Sequence, residues 1–329
     1  MTTVSFPPAV NRWTRLRRRH AWVVAIAGLL AALLALRATQ IPSFGGFELR
    51  TLIAGSLAMA LLGMAQAVVV ISGGVNMSVG ALLVLANCVC ARLMAAATPA
   101  QAWLIALGVI LGCGLLSALI GWVVTRSGIP DIVVTLAASF IIAGGAFLVL
   151  PQPGGGIPTQ VQQAVVGGFS QPVPATVTLA AVLGLIWLPY QRSRWGVATY
   201  AIGSDRRAAY LAGVDVSLAR IRAYALSGVL AGLAGFATTA FTGGGEPRAS
   251  IGLTALLASI AAVVLGGVGL TGGSGGLLGP ALAALVLGLI PPLMLGFGWD
   301  PNLAEVARGS FLILVVLIGG LAQRTGAPS

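Results

Sequence analysis

Arg12-Trp-Thr-Arg-Leu-Arg-Arg-Arg-His20, followed at once by Ala21-Trp-Val-Val-Ala-Ile-Ala-Gly-Leu-Leu-Ala-Ala-Leu-Leu-Ala-Leu36, is the stretch on which the fold turns. A cluster of arginines gives way to sixteen residues without a charge. The run exceeds a typical signal-peptide core, and Arg37-Ala-Thr-Gln40 offers no small-residue cleavage pattern. It therefore reads as an uncleaved first membrane helix, with the arginines held on the cytoplasmic side.

The composition extends that reading to the whole chain. Of 329 residues 58% are hydrophobic and 8% charged, too few charges to cover a soluble core of that apolar content. Further apolar spans are expected at 51–71, 78–97, 102–125, 131–150, 173–190, 223–242, 253–270, 276–297 and 306–323. With the first helix this predicts an all-α polytopic bundle of about ten transmembrane helices. The spans near 78 and 253 are short enough to be broken or re-entrant. The chain then divides into a basic cytoplasmic arm over 1–20, one transmembrane domain over 21–323 and a tail over 324–329.

The net charge of +11 would suggest nucleic acid in a soluble protein. Placed on a ten-span path it is topological instead, and no nucleic-acid partner is expected. Thirteen of the 18 arginines fall on the cytoplasmic face: the five N-terminal ones, Arg126, Arg192, Arg194, Arg206, Arg207, Arg220, Arg222 and Arg324. Arg37, Arg50, Arg92, Arg248 and Arg308 fall outside. The connection 151–172 carries no charge and suits an outer loop; 191–222 is the sizeable charged segment after the N-terminus. Within it Gly203–Gly213 reads as a loop followed by a short helix, capped by Ser204 or Asp205.

Several chemistries are excluded. The chain has no lysine, so no P-loop or Schiff-base lysine exists. Cys88, Cys90 and Cys113 sit in apolar runs and indicate neither a disulfide framework nor a metal site. His20 is the single histidine. The acids Glu48, Asp131, Asp205, Asp215, Glu246, Asp300 and Glu305 form no pair at helical spacing, and none lies at the centre of a span. No catalytic residues and no cofactor are expected, and a membrane-embedded enzyme is the remotest class. Asp131, after Pro130 at a helix start, reads as structural. Gly267-x-Gly269-x-x-Gly272 fits a dinucleotide pattern but lacks its strand, helix and acidic residue.

Uncharged polar residues at membrane depth are present: Gln66, Asn76, Ser78, Asn87, Thr135 and Ser139. As a set they suit a path for a neutral, hydroxyl-rich solute; singly, each could equally bond to a neighbouring helix. Gly108-x-x-x-Gly112 and Gly228-x-x-x-Gly232 permit close helix approach, within the chain or between two copies. Gly73–Gly80 and Gly266–Gly273 match at four positions and conservatively at two, a weak repeat pointing to broken helices near a transport path.

Four segments together resemble a known family. Ile71–Gly80, Gly128–Leu136, Tyr200–Val214 and Ala261–Gly273 are similar, in order and spacing, to signature motifs of the permease subunits of ribose-type sugar ABC importers. The resemblance implies a pair of permeases in the cell (inner) membrane, two ATPase subunits on the cytoplasmic side and an extracytoplasmic solute-binding protein. It places an ATPase-coupling segment on Gly203, Asp205, Arg206, Arg207, Ala208, Ala209 and Gly213. Here Arg207 stands where an acidic residue is usual, and Asn76 where an aspartate is usual. The lack of lysine agrees independently, since ATP binding must then belong to another chain. A branched-chain amino acid permease and a self-sufficient facilitator or secondary carrier remain the alternatives.

Overall fold

The computed structural model describes residues 12–41, 44–168 and 173–299, with isolated positions at 303, 306, 309, 310 and 313. The expected span at 306–323, with Arg308, Arg324 and the tail, falls almost wholly outside the described residues, as do Asp300 and Glu305.

Every regular element among the described residues is helical. Helices α1 (Arg12–Gln40) and α2 (Gly46–Ile71) are followed by α3 (Val79–Met94), α4 (Pro99–Ser127), α5 (Asp131–Val149) and the short α6 (Thr159–Val166). Next come α7 (Val173–Ala181), a π-helical stretch Val182–Trp187 and α8 (Leu188–Arg192), which form one continuous rod. The charged segment holds α9 (Arg194–Ser204) and α10 (Arg206–Leu211); α11 (Val216–Thr242), α12 (Ala249–Leu265) and α13 (Leu278–Gly296) complete the bundle.

Among the described residues seven helices are long and apolar enough to cross a membrane. Helices α3 and α12, with 16 and 17 residues, rise only about 24–26 Å, short of a hydrocarbon core of about 30 Å. The expected count of about ten is thus not reached among the described residues. The expected span 253–270 also ends early, because α12 stops at Leu265 and the glycines after it bond in turns. Conversely, α11 begins at Val216 rather than 223, so Arg220 belongs to a membrane helix and not to a solvated connection.

Local chemistry explains several ends. Thr98 and Gln101 form a reciprocal capping box before Pro99 at the start of α4, and Gly128 closes that helix in the left-handed conformation. Arg37 and Gln40 of α1 donate to the carbonyls of Pro292 and Leu293, tying α1 to the C-terminal part of α13.

The core is centred on α2, whose residues from Ala60 to Ile71 are almost all buried. Of the two small-residue motifs, one is spent inside the chain. A Cβ at Gly228 would strike Cys113 and Ser117 of α4, whereas Gly108 and Gly112 have open space beside them. The two halves of the repeat pack crosswise: Gly63 of α2 lies against Ala262 and Pro280, and Gly80 of α3 abuts Gly252 of α12.

Candidate functional site

The four sequence motifs, far apart in the chain, meet at one end of the bundle. At its centre is the segment Ser72–Ser78 between α2 and α3, which is not helical and enters the bundle. Asn76 reaches Ser227, eleven residues and so about 16 Å along α11 from its start. Irregular backbone at that depth persists only if its polar groups find partners within the protein. They do. The Met77 N–H donates to Thr135 Oγ1 at 3.0 Å and the Ser78 N–H to Asn76 Oδ1 at 3.0 Å; the Val75 carbonyl accepts from the Tyr224 hydroxyl at 3.3 Å.

Beside this segment Arg220 of α11 donates to both carboxylate oxygens of Asp131 at 2.6 Å, and the Tyr224 hydroxyl adds a third bond at 3.1 Å. The side chains of Arg220 and Asp131 are 10% and 17% exposed, so this is a buried pair whose separated charges would each carry a large desolvation cost. Asp131 is also the first residue of α5, where the helix dipole favours an anion. The structural role expected of Asp131 holds. Its partner Arg220, expected on the cytoplasmic connection, is instead buried within α11. Arg220 and Tyr224, one helical turn apart, were the available signal. Gly74 follows from the same cluster, since a Cβ there would overlap Asp131.

The charged segment docks onto this end. Arg206 donates to the Gly73 carbonyl at 2.7 Å. Gly203 sits in the last turn of α9, not in a loop, and a Cβ on it would strike the Ile71 carbonyl and the Gly273 nitrogen together. Those two atoms are themselves bonded: the Gly273 N–H donates to the Ile71 carbonyl at 2.9 Å and joins the first glycine loop to the second. Tyr200 of α9 donates to Gly275 at 2.8 Å. One helix therefore holds both halves of the repeat.

Asp205, not Ser204, caps α10, accepting from the N–H groups of Arg207 and Ala208 at 2.8 and 3.0 Å. Ala209 is buried against Ile202 and Ala219. Gly213 has φ +82°, and Val214 bonds back to Ala209, the left-handed termination that favours glycine. Ala208, Arg206 and Arg207 lie on the exposed side. So do two residues that sequence reading did not single out, Tyr210 and Leu211, 71% and 78% exposed.

The polar residues at membrane depth separate into groups. Asn76, Ser78 and Thr135 are brought together around the Ser72–Ser78 segment. Asn87 lies toward the opposite end, donating to Thr239 and Gly244 and accepting from the Glu246 N–H. Ser139, half-buried on α5, bonds its own helix at Leu136. Gln66 is fully buried, and neither polar atom of its amide has a partner among the described residues.

The geometry is that of a polytopic membrane permease with a polar hub at one end and a short exposed helix seated on it. The family model described as "Branched-chain amino acid transport system / permease component" matches residues 49–318, and the chain belongs to that family. It is 30% identical to the fructose import permease protein FrcC of Rhizobium meliloti, over 86% of this chain and 81% of that protein. The autoinducer 2 import system permease protein LsrD of Yersinia enterocolitica is 28% identical over 91% and 92% of the two chains. The same-named protein of Klebsiella pneumoniae is 30% identical over 87% and 90%. No solved structure matches.

Proposed function

We propose that the chain is the membrane-spanning subunit of an ATP-binding-cassette importer that moves a monosaccharide or similar small polyhydroxylated solute by alternating access, driven by a separate ATPase. The observation that carries this reading is the seating of α9–α10 on both glycine loops, through Arg206, Gly203 and Tyr200. A push on α10 is delivered to the backbone of both repeat halves, without chemistry by any side chain.

In this reading Gly203, Asp205, Arg206, Arg207, Ala208, Ala209 and Gly213 form the coupling segment. Tyr210 and Leu211 face an ATPase subunit on the cytoplasmic side, a second permease copy completes the pathway, and a solute-binding protein docks at the opposite end. The N-terminus is cytoplasmic, in keeping with the five arginines that precede the first apolar run. Fructose and autoinducer 2 in the names of the relatives favour a hydroxylated cargo over an amino acid. The Asp131–Arg220 pair is closed on itself, leaving no ionisable pair open to a zwitterion. Of the polar residues, Gln66 retains a free amide for the pathway, while Asn76, Ser78, Asn87, Thr135 and Ser139 are bonded within the protein.

The test is reconstitution in liposomes with the ATPase and binding protein of the same transport system. Sugar uptake is expected only with ATP and both partners. Uptake by the chain alone would establish a facilitator instead.

A further inference from the structure

The half of the bundle remote from α10 contains a cavity of about 270 Å³ between α2, α12 and α13, near the lower limit of ligand pockets, about 300 Å³. Two features of its wall are unusual for a membrane interior. Leu287, Gly288 and Pro292 line it, and Pro291 and Pro292 have no N–H with which to close the helical bonds to the carbonyls of Leu287 and Gly288. Ser56, 5% exposed, lines the same cavity with its hydroxyl against Gly288, and that hydroxyl makes no hydrogen bond among the described residues. Open acceptors and idle hydroxyls, that of Thr51 included, thus share one site whose wall is completed by Leu52, Gly55, Met59 and Ala258.

The polar character continues along α2. Leu52, Met59 and Gln66 are seven residues apart and so share one face of the helix. Gln66, about 10 Å beyond the cavity-lining Met59, is the fully buried amide without a partner. An amide left unbonded in the interior is unfavourable, and a polar guest that reaches it relieves that. Glycine at 288 is a condition of the cavity, because a Cβ there would overlap Ser56 Oγ.

We propose that this cavity is a binding niche for a carbohydrate hydroxyl cluster inside a single permease copy. Ser56 donates to the solute, the carbonyls of Leu287 and Gly288 accept from it, and Gln66 is the next station inward. The proposal rests on the reading of the chain as a sugar permease and names the residues that hold the cargo.

Cysteine accessibility tests it in the full importer. Ser56→Cys should react with a membrane-impermeant methanethiosulfonate about tenfold faster than the adjacent buried control Leu57→Cys, since thiol reactivity follows exposure. Adding Gly288→Ala to Ser56→Cys should abolish the labelling while the protein remains in the membrane. D-fructose or D-ribose should slow labelling and L-leucine should not. Labelling no faster than at Leu57, or labelling that neither sugar slows, overturns the niche. Sugar uptake by the unsubstituted importer is measured alongside: uptake with an unreactive Ser56→Cys rejects the niche alone, whereas a reactive, sugar-protected site without ATP-driven uptake rejects the importer reading alone.

Discussion

The two glycine loops, Gly73–Gly80 and Gly266–Gly273, have similar sequences and different fates. The first enters the bundle and is largely buried; the second stays at the end, with Gly267, Leu270 and Thr271 exposed. The difference begins at one position. Asn76 accepts from the Ser78 backbone and hydroxyl and donates to Ser227, whereas its counterpart Gly269 has no side chain to do either. The neighbours complete it. Asp131, Thr135 and Tyr224 enclose the first loop, while the second has Trp22 of α1, whose indole packs on Gly267 and donates to Leu265 at 2.9 Å. A glycine-rich segment can thus become either a buried break or a surface turn, according to which polar groups surround it.

Substitutions ordered by their expected effect can break this contrast. The largest effect is expected from Gly203→Leu, which wedges the contact between the loops; ATP-driven uptake should fall to background, and ATPase co-purification reports whether coupling is lost with it. Removing one charge under the first loop comes next. Asp131→Ala leaves Arg220 buried and unpaired, a loss of about 3–5 kcal/mol, seen as a lower midpoint in detergent melts. Asp131→Ala combined with Arg220→Met should recover much of it.

Asn76→Ala strands the Ser78 N–H and should cost about 1–3 kcal/mol, whereas Gly269→Ala in the second loop should stay within about 0.5 kcal/mol. Equal effects at the two positions would abolish the distinction drawn between the loops. The smallest change in stability is expected for Arg206→Gln, since the side chain is exposed. Its signature is instead a drop in uptake per ATP hydrolysed.

Much of the architecture was legible in advance because lipid imposes it. Runs such as Ala21–Leu36 and Ala102–Thr125 have one stable state in a membrane, a helix, since every backbone group must be bonded within the segment. A short helix within Gly203–Gly213, capped by Ser204 or Asp205, was legible from local chemistry as well, and packing left the cap to Asp205. The Asp131–Arg220 pair was not, because its members are 89 positions apart and the arginine was credited to topology. Nor was the division of the polar residues. Asn76, Thr135 and Gln66 look alike in a string of letters, and only their surroundings leave Gln66 without a partner.

By itself the sequence determined that the chain resides in lipid, that it is helical, and that it carries no P-loop lysine, because composition and the missing lysine admit no alternative. Tertiary structure decided which of two similar glycine loops is buried, which arginine is paired, and where hydroxyl and carbonyl groups remain open. Those outcomes depend on contacts between segments 200 residues and more apart, such as Ile71 with Gly273, and pairing at that range is a property of the packed bundle.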